Sequence, residues 1–189
     1  MSAERARLFV ALELPLEMRR ALVAWRTGAL AGAEGVRAVA PEDLHVTLCF
    51  LGWRASTDLE AIAEACGVVG GRGSLEVSLG EAVALPRRRP RVLAVSLESR
   101  DGALAAVQAT LSEALAAGGF YQPEERPFYG HVTVGRAGRG ARIPRSALLV
   151  PPPPAQRFSA SHVVLYRSHL GRGGASYEAL EQIPLAAPR

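Results

Sequence analysis

The tetrapeptide His45-Val46-Thr47-Leu48 returns later in the chain as His131-Val132-Thr133-Val134, so one pattern, His-apolar-Thr-apolar, occurs twice. The first copy lies in the β-leaning run Leu44 to Leu51, and the second spans His131 to Val134. Alternate side chains of a strand face opposite ways, which sets His45 with Thr47 on one face and Val46 with Leu48 on the other. His131 and Thr133 share a face for the same reason. Two such strands side by side would line one groove with two imidazoles and two hydroxyls, each pair anchored by an apolar back face.

The intervening sequence has the elements to bring them together. Arg7 to Glu13 predicts a strand ended by Pro15, and Glu17 to Leu30 predicts a helix, because Met18, Leu22, Trp25 and Ala29 recur at helical spacing. Val36 to Val39 is a short strand, and Pro41-Glu42-Asp43 turns the chain into the His45 strand. Ser56 or Thr57 is expected to cap a second helix with Leu59, Ile62, Ala63 and Cys66 as its apolar stripe. Leu75 to Leu79, Ala82 to Leu85 and Val92 to Leu97 follow as extended stretches, with the basic loop Pro86-Arg87-Arg88-Arg89-Pro90-Arg91 between the last two. Gly102 to Ala117 carries Leu104, Val107, Leu111 and Leu115 in helical register, ended by Gly118-Gly119. Ile143 to Val150 fits a short helix or a strand, and Pro151 to Pro154 is an extended surface segment. Phe158 to Tyr166 and Tyr177 to Leu185 close the chain as a strand pair, turned at Gly171-Arg172-Gly173-Gly174. The expected fold is α+β: residues 1–189 form one bilobal domain of two pseudo-symmetric lobes. Each lobe is a mostly antiparallel sheet with helices on its outer face, and the groove lies between the lobes.

Composition narrows the partners. No apolar run approaches the roughly 18 residues that span a bilayer, and Glu13 and Pro15 break the first apolar stretch too early for a signal peptide. A cytoplasmic protein with no membrane partner is expected. Cys49 and Cys66 lack metal or redox spacing and read as reduced and buried. The net charge is +4, and all 22 basic residues are arginine. Codon usage accounts for that bias most simply, although the arginine fork suits phosphate oxygens better than an ammonium does.

A facing pair of histidines supplies a base and an acid near neutral pH, one imidazole neutral and the other protonated. Threonine hydroxyls and Arg136 would hold phosphoryl oxygens and the charge developing on them. A cyclic 2′,3′-phosphodiester suits this set, because attack by water needs a base and the departing hydroxyl needs a proton. His162 and His169 have no threonine at the required offset and read as structural, and no His-Glu-x-x-His or acidic cluster points to a metal. Arg87 to Arg91 reads as a solvated loop, with an RNA contact as its alternative.

These residues carry a resemblance. Arg7-Leu8-Phe9-Val10-Ala11-Leu12, Asp43 to Gly52, Phe128 to Arg136 and Val164 to Leu170, with Tyr177 and Pro184-Leu185, resemble the 2H phosphoesterases. The similarity is nearest to the bacterial and archaeal RNA 2′,3′-cyclic phosphodiesterases, historically called 2′-5′ RNA ligases. It implies a bilobed fold and a cofactor-free, metal-independent monomer that opens RNA 2′,3′-cyclic phosphate ends to a 2′-phosphate, with weak ligation in reverse. It further implies His45 as proton donor, His131 as proton acceptor, and Thr47, Thr133 and Arg136 as phosphate binders. Two positions depart from the family pattern: Gly130 stands where proline is frequent, and Ala38 where an aromatic is common. The rival readings are a phosphodiesterase acting on another small cyclic phosphate or a 2′-5′ oligonucleotide, and a non-catalytic module that binds RNA ends.

Overall fold

The structure, a computed structural model, describes residues 4–153, 155–171 and 174–185. Its elements run β1 (Arg5–Glu13), α1 (Leu16–Ala29), β2 (Val36–Ala38), β3 (His45–Ala55), α2 (Leu59–Cys66), β4 (Leu75–Leu85) and β5 (Val92–Ser99). Then follow α3 (Ala103–Ala117), β6 (His131–Ala137), β7 (Arg157–Ala160), β8 (His162–Gly171) and β9 (Gly174–Pro184). Every strand pairing is antiparallel. The strand order is β7-β4-β5-β6-β3-β1-β8-β9, with β2 added alongside β6. The α+β class and the two lobes are as expected, but the lobes are the two ends of a single sheet. β1, β3, β8 and β9 make one, and β2, β4, β5, β6 and β7 make the other.

The lobes meet where the two motif strands meet. Among the described residues β3 and β6 pair at one position, Val46 opposite Val132. Both valines are fully buried and belong to the same apolar core as α1, α2 and α3. The helices reinforce this join. α1 packs against β6, and α3 packs against β3 as well as β4 and β5, so each of these helices reaches the motif strand of the other half. A side-chain bond from Gln108 Nε2 on α3 to the Leu48 carbonyl, 3.4 Å, ties α3 directly to β3. No helix among the described residues is long and apolar enough to cross a membrane.

Several local expectations need correction. Phe158 to Tyr166 is not one strand: it breaks at Ser161, so that β7 edges the β4 side of the sheet while β8 pairs with β1 on the far side. Apolar residues on both sides of the break hide it from periodicity alone. Leu75 to Leu85 is one strand, β4, whose register with β5 shifts between Leu79 and Ala82. Ser56 and Thr57 do not cap α2; they sit in a short 3₁₀ turn, Ser56–Asp58, with no side-chain cap bond. Ile143 to Val150 contains only the 3₁₀ turn Arg145–Leu148. Pro154, Arg172 and Gly173, part of the expected proline segment and closing turn, lie outside the described residues.

A β-carbon at Gly130 would come within 2.8 Å of Leu104 Cδ2, so the tip of that buried α3 side chain would have to shift to admit a larger residue.

If the valine pair is the join between lobes, its side chains must be energetically coupled. Val46→Ala and Val132→Ala should each cost about 1–3 kcal/mol, as buried truncations do. Their double variant should depart from additivity by more than about 0.5 kcal/mol in urea unfolding. Additive costs would mean that the two strands are held together elsewhere.

Candidate active site

Val46 opposite Val132 determines what faces what. In an antiparallel pair with that register, His45 lies across from Thr133 and Thr47 across from His131. The two motifs therefore present a diagonal arrangement of imidazoles and hydroxyls on the face opposite the core. All four predicted residues are brought to one surface by a single backbone contact.

Arg136 reaches that surface by a less direct route. It lies five positions beyond His131, an odd offset, so simple alternation would send it to the core side. However, β6 carries a bulge: Leu93 and Ala94 of β5 are consecutive, whereas their partners are Gly135 and Thr133, leaving Val134 as the extra residue. A bulge shifts the parity of everything beyond it. Gly135 consequently turns toward Leu30 and Val36 on the core side, and Arg136 turns outward, exposed.

The first motif has the same device. Val10 and Ala11 of β1 pair with Cys49 and Thr47, leaving Leu48 as the extra residue in β3. The residue delivered to the surface there is Phe50, 46% exposed. Phe50 and Arg136 thus occupy equivalent places in the two lobes, one aromatic and one cationic. Phe50 has the Arg7 guanidinium 4.6 Å from its ring centre. Motif reading passed over Phe50; aligning the two copies three residues past the threonines would have revealed it.

Each imidazole is oriented by the same local bond. His45 Nδ1–H donates to the Asp43 carbonyl, 2.7 Å, and His131 Nδ1–H donates to the Tyr129 carbonyl, 2.8 Å. A carbonyl can only accept, so Nδ1 must carry the hydrogen in both rings. Nε2 is left as the reactive nitrogen on each. On His45 it accepts the Thr47 hydroxyl at 3.2 Å.

The surroundings of the two rings differ. His45 is walled by Phe9, Tyr177 and Tyr166, with ring centres 4.9, 5.1 and 6.2 Å away. Burial accordingly lowers its pKa from 6.5 to about 4; the Asp43 carbonyl opposes this, while the positive charges of Arg136 and His131 add to it. Among the described residues His131 has a single aromatic ring contact, Tyr129, stacked at 5.8 Å and itself 49% exposed. Beside Thr47 and His131 opens a cavity of about 940 Å³, which those two residues help to line; His45, Thr133 and Arg136 are not among its walls. Arg37 of β2 stands directly across from Arg136, a second arginine that sequence reasoning did not single out.

The other candidates make contacts of their own. His162 Nδ1 is 2.9 Å from the Ser161 hydroxyl and 3.9 Å from Glu13, and His169 pairs with Glu178 at 2.9 Å. Cys49 and Cys66 are free and buried, and burial pushes both thiols up to about 12. Among the described residues no three His, Cys, Asp or Glu side chains are grouped to hold a metal ion.

The depressed His45 pKa has a thermodynamic consequence. Between pH 6.5 and about 4 the unfolded chain takes up a proton at this ring that the folded chain refuses. Stability is therefore full above about pH 6.5 and declines as the pH falls toward 4, by on the order of 1–3 kcal/mol. Urea unfolding at pH 7 and pH 4.5 should show His45→Gln losing less stability than wild type over that interval. Parallel losses would mean that the aromatic wall does not desolvate the ring.

Comparison with known proteins places this geometry. The sequence profile of the 2′-5′ RNA ligase superfamily matches residues 14–172. The chain is 29% identical over 181 residues to the RNA 2′,3′-cyclic phosphodiesterase of Escherichia coli (strain K12), covering 95% of this chain and 97% of that one. It is 34% identical over 134 residues to a protein of the same name from Archaeoglobus fulgidus, covering 70% and 73% respectively. It superposes on TT0787 of Thermus thermophilus with a TM-score of 0.81 at 28% identity, over 97% of this chain and 100% of that one. With E. coli LigT complexed with 3′-AMP the TM-score is 0.78 at 29% identity, again over 97% and 100%. With its profile match over most of the chain and its fold shared end to end with these structures, the chain belongs to the 2′-5′ RNA ligase superfamily.

Proposed function

We propose that this protein hydrolyses 2′,3′-cyclic phosphate ends of RNA to 2′-phosphates, with the two imidazoles as acid and base. The observation that carries the reading is the Val46–Val132 register together with the matched Nδ1 bonds, which leaves two Nε2 atoms and two hydroxyls on one surface. His131 Nε2 takes a proton from water as the water oxygen bonds to phosphorus. The bond from phosphorus to O3′ breaks, and His45 Nε2–H gives its proton to O3′. One water is consumed, and the phosphate stays on O2′. Thr47, Thr133 and Arg136 hold the non-bridging oxygens, where negative charge builds. A 5′-hydroxyl in place of water would form a 2′-5′ linkage by the same route. Both lobes of the groove come from one chain, so a monomer acting on cytoplasmic RNA is sufficient.

The donor role for His45 requires a charge that the groove by itself opposes, since burial holds the ring neutral at pH 7. The substrate supplies the missing negative charge. An anionic phosphodiester at hydrogen-bond distance favours the imidazolium and raises the pKa. The assignment therefore implies that His45, held at about 4 by burial in the free protein, titrates at higher pH once the cyclic end is bound, so the profiles of kcat/KM and kcat should differ.

The test is a short RNA ending in a 2′,3′-cyclic phosphate, with products resolved by phosphate position. The expected product carries a 2′-phosphate; a 3′-phosphate product, or RNA bound without turnover, would overturn the reading. Thr47→Val and Thr133→Val should each lower kcat by about one to three orders of magnitude, the range for losing an oxyanion donor. Arg136→Lys should restore only part of what Arg136→Ala loses, because a point charge lacks the two-pronged contact. Wild-type rates in both threonine variants would place the phosphate elsewhere.

A further inference from the structure

The arginine-rich loop after β4 finds a use in the structure that the hydrolysis step leaves unexplained. The loop is held at its base: Arg91 Nη2 donates to the carbonyls of Ala137, 3.3 Å, and Gly138, 3.0 Å, and the Arg91 amide bonds to the Leu85 carbonyl. Arg91 is thereby committed to joining the loop to β6. Arg87 and Arg88 are left exposed at the wall of the 940 Å³ cavity, together with Arg145 and Arg126. Arg126 pairs with Glu124 at 3.1 Å, the one acidic residue in that wall. Arg87, Arg88 and Arg145 have no acidic partner among the described residues.

The same wall carries two exposed aromatic rings, Phe50 and Tyr129, which flank Thr47 and His131. Unpaired arginines interleaved with exposed aromatics are what a single-stranded nucleic acid needs: cations for its phosphates and ring faces for its bases. At about 940 Å³ the cavity lies at the upper end of the roughly 300–1,000 Å³ usual for ligand pockets. A phosphate at a 3′ end also has only one chain leaving it. Phe9, Tyr166 and Tyr177 crowd the His45 side, whereas the cavity opens beside His131 and Thr47 and offers the strand its exit.

We infer that the cavity between the β4–β5 loop and Arg145 is a subsite for the nucleotides 5′ of the cyclic end, making this protein selective for RNA strands over cyclic mononucleotides. The inference rests on the proposed function for where the terminal phosphate sits. Arg87, Arg88 and Arg145 contact backbone phosphates, and Phe50 and Tyr129 stack bases.

The experiment compares kcat/KM for 2′,3′-cyclic AMP and for a hexanucleotide ending in a 2′,3′-cyclic phosphate, at several salt concentrations. Binding of a 5′-labelled hexanucleotide with a 2′-phosphate end is read in parallel by anisotropy. Wild type should prefer the hexanucleotide by at least about tenfold, and the Arg87→Ala/Arg88→Ala/Arg145→Ala triple variant should bring the ratio to within about threefold, the change residing in KM. In the binding arm, three lost phosphate contacts should make the slope of log Kd against log salt shallower by about 2. No preference in wild type, or a ratio and slope untouched by the triple variant, would overturn the subsite. If neither substrate is hydrolysed but binding still depends on the three arginines, the hydrolytic reading fails and the strand subsite stands.

Discussion

Val46 and Val132 are the middle residues of the two repeated tetrapeptides, and their contact is where the two ends of the sheet are joined. Because strand side chains alternate, pairing these two residues and no others decides that His45, Thr47, His131 and Thr133 share a surface. A slip of one residue in either strand would bury an imidazole against α1 or α3 and expose a valine. The register is thus protected by the cost of that exchange, and α1 and α3 each support the motif strand of the opposite half. The apolar residues of the motifs position the polar ones.

The sequence made much of this legible, for a physical reason. Repetition of His-Val-Thr reports two strands with one task, and strand alternation supplies the shared face without any knowledge of tertiary structure. The Arg136 orientation was not legible, because it depends on the extra residue Val134, and nothing in the local sequence distinguishes a bulged valine from a regular one. The break at Ser161 was hidden similarly: an apolar run on each side reads as continuous, although its two pieces serve different lobes. The lobes themselves were foreseen, but their union in one sheet follows from a single long-range pairing that no local pattern encodes. Phe50 sits between these cases. It was visible in the repeat, since it stands where Arg136 stands, but its meaning required the bulge at Leu48.

Pseudo-symmetry is broken where the chemistry needs it broken. Both rings have the same tautomer, fixed by a carbonyl two residues earlier, so geometry alone would make them equivalent. Their surroundings separate them: three aromatic rings enclose His45, while His131 faces the open cavity. An enclosed imidazole responds strongly to a nearby charge because little water screens it. An anionic phosphate then both occupies the groove and changes the protonation of the ring beside it. In the proposed mechanism, binding prepares the acid, and the more open His131 side admits water and the rest of the strand.

That division of labour is tested most directly by replacing O3′ of the cyclic phosphate with sulfur, because a thiolate leaves without a proton. If His45 is the donor, His45→Ala should recover most of its lost rate on the sulfur substrate, while His131→Ala remains impaired. Recovery by His131→Ala and not by His45→Ala would contradict the account, since it would put the acid on the open side of the groove and the base within the aromatic wall.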